Sequence, residues 1–526
     1  MYPAALEIFF NGRPMPLSRF PNSGWARITG VPEARADSAA GRPGPERPTA
    51  FRYEGDRPRR WTDTSDIWLH GYWMYNWADS YERVKSIDTA THTIETHEPH
   101  GVYGYRENQR YRYLNIIEEI DEPGEWCLDR RTGMLYFWPP SPPAGAEVYV
   151  SLLEEPLVLF DHASHITLRG LTLEITRGSA VEINGGTGVC IAGCTIRNIG
   201  NTGVIIRGGT RNGVRSCDIR DTGDGGIIMG GGDRKALVPG GNYAVNNHIF
   251  DYSRSVWTYR PAINISGVGN RVANNLIHDA PHMAVWFSGN EHVIEYNIVH
   301  TTCLETGDVG ALYIGRDWTM RGNIIRYNLF RNIRGPGAGG ARAVYLDDAA
   351  SGTVVYGNVF FETTCGVFIG GGRDNTVENN IFVRCDLAVH VDARGIGWAK
   401  EHIAPGGSWG MYEKLDAVGY RKPPYSTRYP KLASIADDNP ALSMGNVIRR
   451  NISTGGRWLE LTDGLDSLGI VRVEDNIIDG DPGFLDAEGM DFRLGRDTPA
   501  LKTGFRPIPY EKIGLFRDED RVTLVK

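Results

Sequence analysis

Acidic side chains are concentrated in two stretches of this sequence. Glu305, Asp308 and Asp317 lie in the first stretch, and the pair Asp347 and Asp348 ends the second. Two carboxyl groups, one protonated and one ionised, cleave a glycosidic bond when they lie about 5–5.5 Å apart, for retention, or about 6.5–9.5 Å apart, for inversion. These residue types therefore indicate glycoside hydrolysis, provided that the fold brings the two stretches together.

Each acidic residue also has a structural interpretation. Asp317 could form a surface ion pair with Arg316, and Asp348 could bond to its own backbone at a turn. Asp347 could be a solvated strand end. Asp308 precedes a strand whereas Asp348 follows one, so joint chemistry requires the inserted loop before Asp308 to fold back over the sheet. If it does not, Asp317 with Asp347 or Asp348 is the better pair.

An internal repeat indicates the elements that position these residues. Asparagine followed by an apolar residue recurs at spacings as short as 22 residues, at Asn247, Asn275, Asn297, Asn328, Asn358 and Asn380. A minimal unit of this length with insertions is typical of a parallel β-helix, whose coils each supply three short strands. Asparagine suits the repeating turn, since it tolerates a left-handed backbone and its amide can hydrogen-bond along the stack.

A second register accompanies the asparagines. Each coil contains a small residue followed by an alternating strand, as in Ala284-Val-Trp-Phe and Ala343-Val-Tyr-Leu. The period of two predicts one inward apolar column and one outward column. The outward column is Asn264, Trp286, Tyr313, Tyr345, Phe368 and His390. We expect it to form a stripe of exposed rings that could hold the apolar faces of sugars.

Insertions and polar residues cluster around the same stripe. Three coils carry longer loops at one corner, and inserted loops on a rigid scaffold often carry function. Candidate substrate-binding residues are His282, Trp286, Glu305, Tyr313, Arg316, Asp317, Tyr345, Asp347, Arg373 and His390. Asp374, Asp392 and Arg394 continue the polar edge and could either bind substrate or brace the cluster.

The remaining sequence divides around this repeat. The predicted fold class is all-β, a right-handed parallel β-helix with an N-terminal antiparallel β-sandwich-like domain. We predict an antiparallel sandwich or barrel over residues 1–155 and β-helix with the active-site groove over 156–395. A partly helical lobe over the groove is expected at 396–440, and the final coils and a cap at 441–526.

Composition excludes several other classes. The net charge of −8 argues against a general nucleic-acid partner, and no apolar run is long enough to span a membrane. The seven cysteines form no C-x-x-C pair, so buried free thiols are expected rather than disulfides or zinc. No cofactor or metal is demanded by the residues, and the oligomeric state is left open. Residues 1–16 lack an export-signal pattern, so localisation also stays open.

Two other functions fit a β-helix with exposed rings. A polysaccharide lyase abstracts a proton beside a uronate carboxylate, but the groove coils lack lysine, which leaves Arg316 or Arg373 as the base. A non-catalytic carbohydrate-binding β-helix explains the rings but not the clustered carboxylates. The expected partner is in each case a polysaccharide or oligosaccharide.

Three stretches resemble the right-handed β-helix enzymes of glycoside hydrolase family 141, which includes α-L-fucosidase and xylanase activities. They are the stretch from Asn275 to Asn290, the stretch from Leu304 to Trp318, and Tyr345-Leu-Asp-Asp-Ala-Ala-Ser-Gly. Similarity extends to Pro123-Gly-Glu-Trp and Asp491-Phe-Arg-Leu, so it covers most of the chain. The resemblance implies two catalytic aspartates on neighbouring coils, at positions matching Asp308 and Asp348. It also implies an exported protein, as is usual for such enzymes. Our hypothesis is a glycoside hydrolase that acts on a plant or algal polysaccharide.

Overall fold

The computed structural model describes residues 3–32 and 48–524. The chain forms two units, Ala5–Leu152 and Leu153–Lys526, the second of which also includes Met1–Ala4. The predicted fold class is confirmed, because the larger unit is a parallel β-helix and the smaller one is built from antiparallel strands.

Three parallel sheets, each a ladder of eleven strands, form the β-helix. The strands of the first sheet are Val158–Asp161, Val181–Asn184, Val204–Arg207, Ile227–Asp233, Ile263–Gly267, Val285–Phe287, Val309–Ile314, Ala341–Leu346, Cys365–Gly370, Leu387–Asp392 and Arg457–Leu461. Those of the second sheet are Thr167–Arg169, Cys190–Ala192, Gly213–Arg215, Tyr243–Val245, Arg271–Ala273, Val293–Glu295, Ile324–Arg326, Val354–Tyr356, Thr376–Glu378, Val447–Arg449 and Arg472–Glu474. Those of the third sheet are Thr172–Thr176, Thr195–Ile199, Asp218–Thr222, His248–Phe250, Leu276–His278, Ile298–His300, Leu329–Arg331, Val359–Phe361, Ile381–Val383, Ile452–Thr454 and Ile477–Ile478. A short strand, Val238–Pro239, pairs with the end of Ile227–Asp233.

The repeated asparagines form a buried ladder along the stack. The Asn328 backbone N–H and Nδ2 both donate to Asn358 Oδ1 at 2.9 Å. Its own Oδ1 accepts the same pair of bonds from Asn297 at 2.9 Å. The left-handed residue of each turn is the one before the ladder asparagine, as at Tyr327, where φ is 56°. The ladder asparagines therefore form the predicted hydrogen bonds along the stack. The left-handed backbone that was also expected of them belongs instead to the residue before each asparagine.

A second ladder lies five residues before the first and was not predicted. Asn242 N–H donates to Asn270 Oδ1 at 2.9 Å, and Asn270 N–H donates to His292 Nδ1 at 3.2 Å. His292 N–H in turn donates to Asn323 Oδ1 at 3.0 Å. Histidine thus replaces asparagine at one rung. His292 and Thr353 both occupy ladder positions where other coils have asparagine, so the second repeat is hard to recognise in the sequence.

The inward column and the small residues pack as the alternation predicts. Val285, Leu312 and Val344 are buried in one continuous core. At the small-residue position of one coil, a Cβ on Gly366 would lie 2.5 Å from the Phe382 ring and 2.7 Å from the Ala388 oxygen. Close packing between coils therefore requires glycine there. All seven cysteines are free thiols, as predicted, and Cys190 alone among them is not fully buried.

The smaller unit contains a seven-stranded antiparallel sheet that closes on itself. Its strands, in spatial order, are Arg19–Phe20, Arg110–Leu114, Ala26–Gly30, Ala50–Tyr53, Thr93–Thr96, Ser80–Asp88 and Trp68–Tyr72. Trp68–Tyr72 also pairs with Arg110–Leu114, which converts the sheet into a small barrel. Further pairs are Ile8–Phe10 with Arg13–Pro14 and Val148–Val150, and Trp126–Asp129 with Met134–Phe137. Short 3₁₀ helices lie at Arg57–Arg60 and Ile117–Glu119.

A helical lobe follows the strand Leu387–Asp392. Its helices are Lys400–Ile403, Met411–Val418, Tyr425–Arg428 and Pro430–Ala433, with a 3₁₀ turn at Ile435–Asp437. Trp318 from the β-helix is buried in the apolar cluster of this lobe. After the last coil come the helix Leu465–Leu468, the hairpin Phe484–Asp486 with Asp491–Leu494, Pro499–Lys502 and Tyr510–Lys512. Over the described ranges, no helix has the length and apolar character needed to cross a membrane.

Candidate active site

A buried guanidinium lies at the centre of the acidic cluster. Arg394 Nη1 donates to Asp347 Oδ1 at 2.5 Å and to Asp348 Oδ1 at 3.0 Å. Arg394 Nε donates to Asp392 Oδ2 at 2.9 Å. All four side chains are buried. Their strands end at the same edge of the first sheet, so the fold gathers three carboxylates around one cation.

Asp348 is the most enclosed of these carboxylates. Arg316 Nε donates to its Oδ2 at 2.7 Å, and the Arg316 side chain is 58% exposed whereas that of Asp348 is 3% exposed. Burial and the neighbouring Asp347 raise the pKa of Asp348, while Arg316 and Arg394 oppose the rise. A carboxyl with a raised pKa is suited to donate a proton.

Asp308 is open to solvent, with a side chain that is 56% exposed. It adopts a left-handed backbone, with φ of 55°, and its N–H donates to the Gly340 oxygen at 2.8 Å. Tyr345 OH donates to Asp308 Oδ1 at 3.4 Å, and the Arg342 guanidinium lies 3.5 Å from the same oxygen.

Tyr345 connects the two predicted catalytic aspartates. Its hydroxyl accepts a bond from Arg394 Nη2 at 3.4 Å, and Arg394 binds Asp348. The register between the strands carrying these residues skips the small residues Ala311 and Ala343. Tyr345 and Arg394 thereby join residues from opposite ends of neighbouring strands in one network.

The ring stripe has two parts that differ in accessibility. Trp286 and Tyr313 are half-buried and meet edge to face, and Tyr313 OH donates to Asp347 Oδ2 at 2.8 Å. Tyr345, Phe368 and His390 instead stack nearly parallel, with centroids 4.9 and 4.1 Å apart. Tyr345 and Phe368 are buried, contrary to the expected exposed stripe. The guanidiniums of Arg342 and Arg394 cover them, 5.2 to 5.9 Å from the ring centroids.

Two further predicted residues flank the half-buried rings. His282 is buried, and its Nδ1 lies 3.0 Å from Thr306 Oγ1. The inserted loop before Ile263–Gly267 places the Tyr259 ring 5.4 Å from His282 and 6.2 Å from Trp286. Glu305 is half-buried, and its N–H donates to the Pro281 oxygen. His390, at the other end of the stripe, lies 3.2 Å from Thr462 Oγ1.

Asp317 and Arg373 lie outside the acidic network. Asp317 accepts bonds from the Thr319 N–H and hydroxyl at 2.8 and 2.6 Å and pairs with Arg234 at 3.4 Å. Arg373 binds Asp438 of the helical lobe at 2.7 Å. Both side chains therefore have partners outside the acidic network, and the pairing of Asp317 with Asp347 or Asp348 stays a prediction.

Sequence reasoning did not select two residues that complete the site. Arg342 occupies the position just before the small residue Ala343 and has the same parity as the inward Val344, so the strand alternation does not place it over the rings. Lys414 lies in the lobe, and its Nζ donates to the Arg316 oxygen at 2.5 Å and the Trp409 oxygen at 2.8 Å. No local pattern marks Lys414, because the contact joins residues far apart in the chain. Within the described ranges, no group of three or more His, Cys, Asp or Glu residues could hold a metal ion.

Comparisons with known proteins agree with the fold. Residues 156–238 and 261–402 match the family described as "Right handed beta helix region". A solved structure named "Glycoside hydrolase" is similar with a TM-score of 0.56 and 14% identity, over 98% of this chain and 80% of that one. Two structures have lower TM-scores. A xylose complex of XylC has 0.42 at 11% identity over 79% and 68% of the two chains, and an alginate lyase complex has 0.31 at 10% over 68% and 90%. No curated protein matches the sequence.

Proposed function

We propose that this protein is a glycoside hydrolase that cleaves a glycosidic bond in a plant or algal polysaccharide or oligosaccharide, with Asp308 and Asp348 as the two catalytic carboxyl groups. The observation that supports this most directly is the network in which Tyr345 and Arg394 join an exposed aspartate to a buried one. The name of the similar β-helix structure, glycoside hydrolase, agrees with this reaction class. Fucosidase-like or xylanase-like specificity, implied by the resemblance to family 141, is part of the proposal.

In this mechanism Asp348 is the acid, since burial and Asp347 raise its pKa. It transfers a proton to the glycosidic oxygen as the bond from that oxygen to the anomeric carbon breaks. Ionised Asp308 attacks the anomeric carbon directly or takes a proton from the water that does so. The anomer of the first product distinguishes these two routes. Arg316 Nε binds Asp348 Oδ2, so a sugar that takes the proton from this oxygen must displace the exposed guanidinium.

Elimination has weaker support. Burial raises the pKa of Tyr345 well above its usual range, which keeps the phenol protonated and unsuited to proton abstraction. Lys414 of the lobe already donates to two carbonyl oxygens. Its position favours anchoring over base chemistry.

The test begins with a screen of plant and algal polysaccharides for new reducing ends. On any active substrate, Asp308→Asn and Asp348→Asn should each lower turnover by about 10²- to 10⁴-fold, the usual range for losing an acid or base. Asp386→Asn, which alters a surface aspartate paired with Arg334, is the matched control and should keep full activity. Thermal unfolding of each variant verifies folding.

Two results would contradict the proposal. Unsaturated sugar ends in the products would identify elimination instead of hydrolysis. Glycan binding without turnover by the unmodified protein, unaffected by Asp308→Asn and Asp348→Asn, would identify a carbohydrate-binding protein.

A further inference from the structure

We propose that Trp398 is a sugar-stacking residue and that the substrate is a chain of several sugars lying along the β-helix axis. This inference rests on the proposed function. Trp398 belongs to the turn between the strand Leu387–Asp392 and the helical lobe, and 63% of the residue is exposed. Burying an indole face is favourable, so an exposed tryptophan beside a carboxylate cluster is available for the apolar face of a sugar.

Single exposed apolar residues are common on protein surfaces. Trp398 differs because its neighbours fix it in place. Its ring meets Trp409 edge to face at 5.8 Å, and Trp409 is buried in the lobe. The Arg394 guanidinium lies 5.6 Å from the Trp398 ring centroid. A pre-positioned ring loses little conformational freedom on binding, which favours recognition.

The same turn links Trp398 to the acidic cluster. The N–H groups of Gly397 and Ala399 both donate to the Arg394 oxygen, at 3.0 and 2.9 Å. The Arg394 side chain binds Asp347 and Asp348. Arg394 therefore contacts both the turn that carries Trp398 and the candidate catalytic residue Asp348.

Accessible rings occur on coils to either side of the carboxylates. The strand of Trp286 precedes that of Asp308, and the strand leading to Arg394 and Trp398 lies two places after that of Asp348. These outer strands are four steps apart, about 19 Å at about 4.8 Å per step. Between them, Tyr345 and Phe368 are covered by arginines and present no free face. Trp398 lies beyond the end of its strand, so this figure is the spacing of the strands and not of the two rings. A substrate that contacts both rings must pass the carboxylates between them, which favours an oligosaccharide with sugars on both sides of the cleaved bond.

The test measures binding separately from turnover. Labelled Asp308→Asn protein is applied to an array printed with xylan, pectin, fucoidan, alginate and laminarin and with their oligosaccharides of graded length. Adding Trp398→Ala to the Asp308→Asn protein should weaken its binding to the longer oligosaccharides by about 2- to 10-fold. This is the range expected for losing one ring contact. Trp398→Phe should restore most of the affinity. Monosaccharides and disaccharides should show no difference between the variants.

Trp138→Ala is the matched control, because Trp138 is also exposed, at 47%, but belongs to the smaller unit. It should leave binding unchanged. If Asp308→Asn protein binds glycans and Trp398→Ala does not weaken that binding, the inference fails while the proposed function stands. If the unmodified protein neither binds nor cleaves any glycan on the array, the proposed function fails, and the inference fails with it. Thermal unfolding of Trp398→Ala and Trp398→Phe verifies that both variants are folded.

Discussion

At the scale of single residues, the candidate site depends on one buried cation. Arg394 compensates three buried carboxylates, and removing one member of a buried ion pair costs about 3–5 kcal/mol, since the remaining charge has no partner. We expect Arg394→Met to lower the free energy of unfolding by about that amount in urea denaturation at pH 7. Arg316→Met is the control. Arg316 also binds Asp348 but is more than half exposed, so its loss should cost about 1 kcal/mol or less.

The pH dependence of the Arg394→Met effect provides a second check. Without the guanidinium, the pKa of Asp348, already raised by burial, should rise further. A carboxyl whose folded pKa exceeds its unfolded value binds more protons when folded, so its unfavourable effect on stability grows as pH rises through that interval. The destabilisation should therefore be smaller at pH 4 than at pH 7. An equal loss at both pH values would mean that lost packing, and not charge, explains the variant.

At the scale of elements, the asparagine ladder connects each coil to the next. Asn328→Ala would leave the Asn297 N–H and Nδ2 without this acceptor and would remove the bond that Asn328 Nδ2 donates to the Ile294 oxygen. Each unsatisfied buried group costs about 1–3 kcal/mol. We expect a loss of about 2–5 kcal/mol in the free energy of unfolding, measured by chemical denaturation.

Asn476, at the end of the ladder, is the matched control. It accepts the same bonds from Asn451 but is only half-buried, so water can replace the lost partner. Asn476→Ala should therefore cost clearly less than Asn328→Ala. Similar losses at the two positions would mean that the ladder is not the source of the effect.

What the sequence reveals depends on whether a contact is repeated. The first ladder and the inward column follow from short-range patterns that recur in every coil, so the β-helix was predictable. The second ladder was missed because His292 and Thr353 interrupt it. The contacts of Arg394 with Asp348 and of Lys414 with Arg316 occur once each and join distant parts of the chain. Burial of Tyr345 and Phe368 followed from arginines that no alternation places over them.

At the scale of the whole molecule, stacking makes every coil depend on its neighbours, so a charge introduced inside the stack should destabilise the entire β-helix. His292 is one residue where this can occur. It is fully buried, its Nδ1 accepts the Asn270 N–H, and its Nε2 donates to the Ser288 oxygen at 2.9 Å. Burial lowers the pKa of His292 to about 4. The imidazole is therefore neutral in the folded protein near pH 7, and protonation would remove the acceptor at this rung.

This arrangement predicts acid destabilisation with a defined cause. An unfolded histidine titrates near pH 6.5, so the unfolded state binds more protons than the folded state between about pH 6.5 and about 4. The free energy of unfolding should fall through that window, by up to about 3 kcal/mol for His292. Asn270 makes the equivalent bond to the Ser266 oxygen, so His292→Asn should keep the ladder but remove the titration. Denaturation from pH 7 to pH 4 should give a shallower decline for this variant; an unchanged slope would assign the acid sensitivity to other groups, such as His248, whose pKa burial also lowers to about 4.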